Sequence, residues 1–466
     1  MLPVISPDVI FADFVKELFD SKENDQDDSY RKDALERAVS PAIKKIDFAQ
    51  VMDLFPQNYS QIIDVFASIT RRAPNISNLQ VTEGMLPERN AICISMDAAM
   101  VSAIGRMANL KTLKVHRFSL SLSELMGLCR NLPSLEILYF KIEPDREPDF
   151  DIDNFEQCFG HLEIFQFSPA STDIGLNFRF RRMLTLECIS CLPNIRILGD
   201  PDGDEHSLDM LPTCLEIHEL TNDEWKSRLT HLTLFLDKDV PEDALKKFPN
   251  VRNLQILCDF SAIDFDIAGL LRFQQLSELT LLDLNDMGYL EKLLRANGVL
   301  LTHLLVSFKP HFPVDSLEVC SLIYEHCSLR LNRLILRNID SSSLLSERPV
   351  LPACDSLQEL ELEFNTNCTY RDSIIFISDY LHARNLEKVR LIRVYTTVEE
   401  LERTATLVKL RNILTRVTHF ELKLIKNDSV NNENRYATRA CVSIKINLLA
   451  CRRDDHQQVF VDVQIL

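Results

Sequence analysis

The chain has 466 residues, of which 46% are hydrophobic and 26% are charged. This composition excludes a wholly disordered chain and provides enough apolar side chains for a large core. Asp and Glu number 69 against 51 Lys and Arg, and the net charge of -18 disfavours nucleic acid and anionic lipid and favours a basic protein partner.

The first 42 residues predict helix rather than strand. Ser6 is a typical N-cap, and Pro7 is suited to the first helical position. The residues that follow form one apolar stripe along a helix, made of Ile10, Phe11, Phe14, Val15, Leu18 and Phe19. We therefore expect residues 1–42 to form a helical N-terminal segment that packs through this stripe.

From residue 43 to residue 424 the sequence repeats an apolar spacing of i, i+3 and i+5. Fourteen copies are recognisable, and their starts lie 22 to 34 residues apart. The clearest copies begin at Leu110, Leu135, Leu162, Leu229, Val251, Leu276, Leu301, Leu331, Leu357, Leu386 and Val417. Between copies the apolar spacing becomes helical. One strand and one helix cannot bury their apolar faces alone, so we expect the copies to stack on one another as a solenoid.

These copies resemble the leucine-rich repeat family, whose pattern is L-x-x-L-x-L-x-x-N/C-x-L, and their length is most similar to its intracellular, ribonuclease-inhibitor-like subclass. The resemblance implies a curved α/β solenoid with parallel strands on the concave face and helices on the convex face. The sequence departs from the family at the Asn or Cys position, where only Asn365 fits and Asp237 and Asp259 could stand in. We therefore expect irregular stacking.

The last segment, residues 425–466, has a different pattern. Val442, Ile444, Ile446 and Leu448 alternate with other residues, and Val459 to Ile465 alternate in the same way. A polar stretch, residues 452–458, separates the two runs. Alternation at period two on both sides of a polar turn predicts a β-hairpin, which would cap the C-terminal end.

Side chains alternate between the two faces of a strand, so residues two, four and six places after each start should face the concave side. The middle copies then present apolar and aromatic side chains and the later copies present alternating charge, a pattern typical of a protein-binding surface. The candidate partner-binding residues are Tyr139, Ile164, His231, Phe235, Leu257, Leu282, His303, Arg333, Arg337, Glu361 and Arg390. We predict a non-enzymatic protein that binds a protein partner here and acts as a scaffold or inhibitor.

An alternative is the substrate-recognition subunit of a cullin-RING ubiquitin ligase. Leu2-Pro3 followed by an apolar helix resembles the start of an F-box, although the Val-Cys-x-x-Trp segment of that module is missing. On this alternative, residues 1–42 would recruit an adaptor. The stretch Leu125-x-x-x-Cys129-x-x-Leu132 resembles an elongin-binding box, but its position within a repeat helix predicts core packing.

The sequence contains no nucleotide-binding or catalytic motif, and we assign no catalytic residue, metal site or cofactor. Cys188, Cys191, Cys214 and His218 have a spacing that zinc could use, but Cys188 and Cys191 lie in an apolar helical stretch. A weaker rival is an enzyme that uses Cys214 with His206 or His218 as a nucleophile pair.

The thirteen cysteines are irregularly spaced, and the N-terminal residues lack the basic start of a secretory signal. We therefore expect reduced thiols and a cytoplasmic or nuclear location. No run of apolar residues is long enough to span a membrane.

Overall fold

The structure is a computed structural model. It describes residues 6–20, 28–55, 59–81, 94–144, 152–170, 173–199, 226–236, 245–258, 267–310, 312, 314, 316–327, 329–339, 355–364, 385–394, 419–425, 441–450 and 459–465. The chain divides into two compact units. The first comprises residues 1–212 and 216–230, and the second comprises residues 213–215 and 231–466.

The first unit contains a parallel β-sheet. Its seven strands are Lys45–Asp47 (β1), Asn78–Val81 (β2), Ile94–Ser95 (β3), Thr112–Ser121 (β4), Ile137–Glu143 (β5), Ile164–Pro169 (β6) and Ile197–Gly199 (β7). They lie in the order β1-β2-β4-β5-β6-β7, and β3 pairs with the second half of β4. Consecutive pairing of parallel strands requires a crossover between them, which the intervening segments supply.

Helices precede β1 and lie between most of the strands that follow it along the chain. They are Pro7–Asp20 (α1), Asp28–Ala38 (α2), Phe48–Met52 (α3), Tyr59–Arg72 (α4), Ala98–Ile104 (α5), Leu122–Arg130 (α6), Ile152–Phe159 (α7) and Ile174–Cys191 (α8). Ser121 caps α6 in a capping box with Glu124, and Asp173 caps α8. These caps satisfy main-chain N–H groups that a helix start would otherwise leave without acceptors.

The second unit contains a ten-stranded sheet. Its strands are His231–Leu236 (β8), Asn253–Cys258 (β9), Glu278–Leu284 (β10), His303–Phe308 (β11), Arg333–Ile339 (β12), Glu359–Phe364 (β13), Lys388–Val394 (β14), His419–Ile425 (β15), Cys441–Ala450 (β16) and Val459–Ile465 (β17). Strands β8 to β15 pair in chain order and in parallel, and β15, β16 and β17 pair antiparallel. The helices Met287–Asn297 (α9) and Ser316–Cys327 (α10) belong to this unit. The predicted C-terminal hairpin is therefore present as β16 and β17.

The repeated spacing sets the register of both sheets. In the second unit Leu254 stands opposite Leu232 on one side and Leu279 on the other, so equivalent residues of successive copies are neighbours. The same holds in the first unit, where Phe165 stands between Leu138 and Leu198. Both sheets bury these rows. The prediction of a mixed α/β fold with parallel strands is thus confirmed.

Main-chain hydrogen bonds link successive strands at the point where each strand begins. The N–H groups of Ser77 and Asn78 both donate to the carbonyl oxygen of Lys44, at 2.8 and 2.9 Å. The same paired arrangement recurs at the carbonyl oxygens of Ser77, Lys111, Glu136, Glu163, Arg252, Ser277, Thr302, Asn332 and Gln358. At each of these places the residue just before one strand provides the acceptor for the two N–H groups at the start of the neighbouring strand.

At β1, the edge strand of the first sheet, a side chain takes the place of that carbonyl. The Asp8 Oδ1 atom accepts hydrogen bonds from the N–H groups of Lys44 and Lys45, at 2.8 and 3.2 Å. Asp8 is held there by α1, which begins at Pro7 after Ser6 as predicted. The carboxylate therefore closes the ladder where no preceding strand is available among the described residues.

The apolar stripe predicted for α1 is narrower in the structure. Phe11, Val15 and Leu18 are buried, whereas Phe14 is half-buried and Ile10 and Phe19 are exposed. The helix contacts α2, α3 and β1, so its buried stripe covers the start of the first sheet. The two exposed apolar side chains lie at the margins of this stripe.

Asp8→Ala should lower the free energy of unfolding of the first unit by about 1 kcal/mol, because two main-chain N–H groups lose a shared acceptor at a partly solvated site. Urea denaturation and hydrogen exchange at Lys44 and Lys45 would measure this loss. Asp8→Asn keeps an acceptor oxygen and should lose less. Asp13→Ala, an exposed position on the same helix, is the control; equal stability and exchange in the two alanine variants would contradict the capping role.

Candidate functional site

The strands of both sheets have one buried and one partly exposed face. In β8, Leu232, Leu234 and Leu236 are buried, whereas His231, Thr233 and Phe235 are half-buried. We call the side chains two, four and six places after the start of each copy the open face. It is the face that the sequence predicts for partner binding, and the sections of it in the two units are described separately.

The structure leaves several predicted partner-binding residues partly accessible on the open face. Arg333 is exposed, and the half-buried members are Ile164, His231, Phe235, His303, Arg337 and Arg390. The expected exposure of Tyr139, Leu257, Leu282 and Glu361 is corrected, because all four are buried. These four side chains therefore pack within the sheet and contribute little to the surface that a partner could contact.

The burial of Tyr139 has a local cause. The pairing of β4 with β5 is interrupted between Lys114 and Ser119. His116 lies in this irregular stretch, and its ring centroid is 4.0 Å from that of Tyr139. Only 1% of Tyr139 remains exposed. A register shift covers the tyrosine that ideal alternation would have left accessible.

Leu257 and Leu282 are buried by their neighbours in the same row. Phe235 of β8 stands opposite Leu257 of β9, and Leu257 stands opposite Leu282 of β10. Adjacent apolar side chains on one face of a sheet shield each other from water. Phe235, at the end of the row, keeps the greater accessibility and is the exposed edge of this apolar cluster.

The open face of the first unit carries a row of isoleucines. Ile137, Ile164 and Ile197 stand opposite one another on β5, β6 and β7. All three are half-buried. β-branched side chains in register pack well across strands, so this row both supports the sheet and presents apolar surface.

The open face of the second unit becomes charged at β12, β13 and β14. Basic side chains lie on the two outer strands and acidic ones on the middle strand. The basic residues are Arg333 and Arg337 on β12 and Lys388 and Arg390 on β14; the acidic residues are Glu359, Glu361 and Glu363 on β13. We call these seven residues the charged cluster.

Ion pairs connect the three strands of the charged cluster. Arg333 Nε is 3.5 Å from Glu359 Oε2, and the Lys388 ammonium donates to the other oxygen of the same carboxylate. Glu361 accepts from Arg337 Nη2 at 3.4 Å and from Arg390 Nη1 at 2.9 Å. Each of these two carboxylates therefore bridges a cation from each neighbouring strand, which fixes the positions of all four basic side chains.

The hydrogen bond from Lys388 holds the pKa of Glu359 below its ordinary value, and the charges of Lys388, Arg333 and His303 act in the same direction. Opposite charges nearby favour the ionised carboxylate. Glu359 is thus a carboxylate in a positive local environment, although the whole chain is strongly acidic.

A second polar group lies on β9, β10 and β11. Asn253 Nδ2 donates to Glu278 Oε2 at 2.5 Å. His303 Nδ1 is 3.7 Å from Glu278 Oε1 and 3.0 Å from the hydroxyl oxygen of Thr302. The neighbouring strand carries Arg333 opposite His303. Glu278 therefore marks the acidic boundary beside the cationic side chains of the later strands.

Two cysteines of the candidate zinc set, Cys188 and Cys191, lie on α8. Cys188 is buried on α8 and Cys191 is half-buried, and burial raises the pKa of both thiols. Within the described ranges, no group of three His, Cys, Asp or Glu side chains is placed to hold a metal ion. Cys214, His206 and His218 lie outside the described residues, so the zinc and nucleophile hypotheses stay untested.

Leu125, Cys129 and Leu132 are all completely buried. The prediction that this stretch packs in the core is confirmed. Burial strongly raises the pKa of the Cys129 thiol, with a further contribution from the nearby Cys158. These side chains are part of the apolar layer between α6 and the sheet rather than an exposed binding motif.

Sequence reasoning placed Glu359, Glu363 and Lys388 on the open face but did not select them as binding residues. The charge order within each strand was visible in the sequence, as in Glu359-Leu360-Glu361-Leu362-Glu363. The sequence alone does not identify the cross-strand partners, because these depend on the register of β12, β13 and β14. With that register, the three residues complete the charged cluster.

The fold and the open face together define a mixed α/β protein with extended parallel sheets and alternating buried and accessible side chains. Comparison with protein-family models gives no match to the chain, and comparison with curated proteins gives none either. Among the described helices, none combines the length and apolar character needed to cross a membrane.

Proposed function

We propose that this chain is a non-enzymatic protein of leucine-rich repeat type, a solenoid that binds a protein partner on its open face and acts as a scaffold or inhibitor in the cytoplasm or nucleus. The observation that carries the proposal is the parallel pairing of β8 to β15 in chain order, with one face buried and the other accessible. A sheet of this kind presents one side chain from each strand in a regular row, which suits recognition of an extended surface.

The composition of the open face supports protein binding rather than catalysis. Phe235 provides an accessible aromatic side chain, and the charged cluster provides fixed guanidinium groups. Aromatic residues and arginine contribute disproportionately to protein interfaces. The basic side chains are pre-ordered by their ion pairs, so binding a partner would immobilise few additional rotamers.

A photo-cross-linking amino acid at Gln255, which is half-buried on the open face of the second unit, should form a covalent adduct with the partner in cell extract. The same probe at Glu325, an exposed position on α10, is the matched control. We expect an adduct from Gln255 and none of the same mass from Glu325, as read by mass spectrometry. Identical adducts from the two positions, or adducts from Glu325 alone, would contradict binding on the open face.

The ubiquitin-ligase alternative is supported by the outer surface of α1, where Val9 and Ile10 are exposed. Exposed apolar side chains on a helix are compatible with the docking of an adaptor. The same cross-linking experiment discriminates between the proposals. A probe at Ile10 that captures a cullin adaptor supports the alternative, whereas adducts from Gln255 without any adaptor adduct from Ile10 favour the scaffold or inhibitor.

A further inference from the structure

The charged cluster has more cations than carboxylates. Arg333, Arg337, Lys388 and Arg390 contribute four positive charges, and Glu359, Glu361 and Glu363 contribute three negative charges. The excess is local, because the chain as a whole carries a net charge of -18. Net charge governs long-range behaviour, whereas a docked partner responds to the groups that it touches.

Exposure differs along the strands of the charged cluster. The side chains of Arg333 and Lys388 are 48% and 57% exposed, and Glu359 between them is 35% exposed. The side chains of Arg337, Glu361 and Glu363 are 20%, 10% and 17% exposed. A partner that approaches the cluster therefore meets Arg333 and Lys388 before the deeper carboxylates of Glu361 and Glu363.

Arg333 and Lys388 have more N–H donors than their ion pairs with Glu359 use. A guanidinium has five N–H donors and an ammonium has three. Arg333 and Lys388 converge on the single carboxylate of Glu359, one from each neighbouring strand. Two cations that share one carboxylate leave N–H groups on an exposed surface, which is the chemistry that recognises carboxylates.

The geometry also sets the size of the segment that could bind. His303, Arg333 and Lys388 lie in one row on β11, β12 and β14, with Glu359 between the last two. Strands are about 4.8 Å apart, so the row extends over roughly 14 Å. An extended peptide rises about 3.3 Å per residue, so about four or five residues would cover it.

We infer that the partner presents an acidic segment of this length, rich in Asp or Glu, to the row formed by His303, Arg333 and Lys388. This inference rests on the proposed function and names the chemistry of the partner. It replaces the basic partner favoured by the net charge with an acidic one, because the two most exposed groups of the charged cluster, Arg333 and Lys388, are cationic. Glu278 marks the end of the row on the β10 side.

Fluorescein-labelled deca-glutamate, deca-lysine and a neutral Gly-Ser decapeptide are suitable probes, measured by fluorescence anisotropy with the full chain. Deca-glutamate should bind most tightly, and added salt should weaken it. Arg333→Gln/Lys388→Gln should weaken it about tenfold through the loss of two charged contacts. Lys292→Gln/Arg295→Gln removes the same charge from exposed positions on α9 and should change the affinity by less than about twofold.

The charge-retaining variant Arg333→Lys/Lys388→Arg should keep the affinity near that of the unmodified chain, and it separates charge from folding if the glutamine variant is unstable. Deca-glutamate that binds no better than the neutral peptide would overturn the inference, as would tighter binding of deca-lysine or equal losses in the two glutamine variants. The proposed function is tested separately. Adducts from Gln255 without deca-glutamate binding would reject only the acidic segment, whereas deca-glutamate binding without adducts from Gln255 would reject the partner contact at Gln255 and leave the peptide site at the charged cluster.

Discussion

Phe165→Ala should lower the free energy of unfolding of the first unit by about 3–5 kcal/mol, as expected for an aromatic side chain removed from a packed core. Phe165 is completely buried and is the second residue of β6. Its ring centroid lies 5.1 Å from that of Phe159 on α7 and 5.2 Å from that of Phe167 on the same strand. The variant would leave a cavity where the helix layer meets the sheet.

The loss of stability should appear first in the strands next to Phe165 and only then in the whole first unit. Leu138 and Leu198 stand opposite Phe165 on the two adjacent strands, so β5 and β7 depend on the same contact row. Urea denaturation and hydrogen exchange in β5 to β7 would measure the effect. Gln166→Ala changes the next residue, which is half-buried on the open face, and should cost less than about 0.5 kcal/mol. Similar losses at the two positions would mean that the faces are assigned wrongly.

The positions and register of the strands could be predicted because one physical constraint recurs in every copy. The residue three places after the start of each copy is leucine or a similar apolar residue and must be buried. A shift of the strand pairing by one residue would expose it. This is why Leu279, Leu304 and Leu334 are aligned as the spacing predicts. A single copy of the motif is weak evidence for a strand, but many copies together are strong evidence because each copy must pair with the next.

Departures from ideal alternation could not be predicted. Tyr139 was expected on an accessible surface, but the irregular pairing of β4 brings His116 against its ring. Glu361 was expected to be a contact residue, but two arginines from neighbouring strands enclose its carboxylate. Both outcomes depend on cross-strand neighbours 23 to 29 residues away in the sequence, which a pattern within one copy does not reveal.

The role of Asp8 illustrates the same limit at the N-terminus. The sequence shows an acidic residue in the first turn of a helix, which is a common stabilising arrangement. Nothing in that pattern indicates that the carboxylate accepts from Lys44 and Lys45, more than thirty residues later. The ladder of paired N–H donors has to be known before its first acceptor can be identified.

Glu361→Leu should lower the free energy of unfolding of the second unit by about 2–4 kcal/mol. This loss is somewhat smaller than the usual cost of breaking a fully buried ion pair, because Arg390 retains access to water. The variant leaves Arg337 and Arg390 on the two sides of β13 without the carboxylate that both contact. Glu359→Ala removes a more exposed carboxylate from the same strand and should cost about 1 kcal/mol or less.

The double variant Glu361→Leu/Arg390→Leu should recover more than half of the loss. It removes one of the two cations that Glu361 neutralises, and Arg337 retains Glu363, whose Oε2 lies 3.8 Å from its Nε. Urea denaturation of the single and double variants would measure the coupling. Losses that simply add would show that Glu361 stabilises the sheet by packing alone. Recovery in the double variant would show that the buried carboxylates are needed because the cations are there, which is the arrangement that makes the accessible side of the charged cluster cationic.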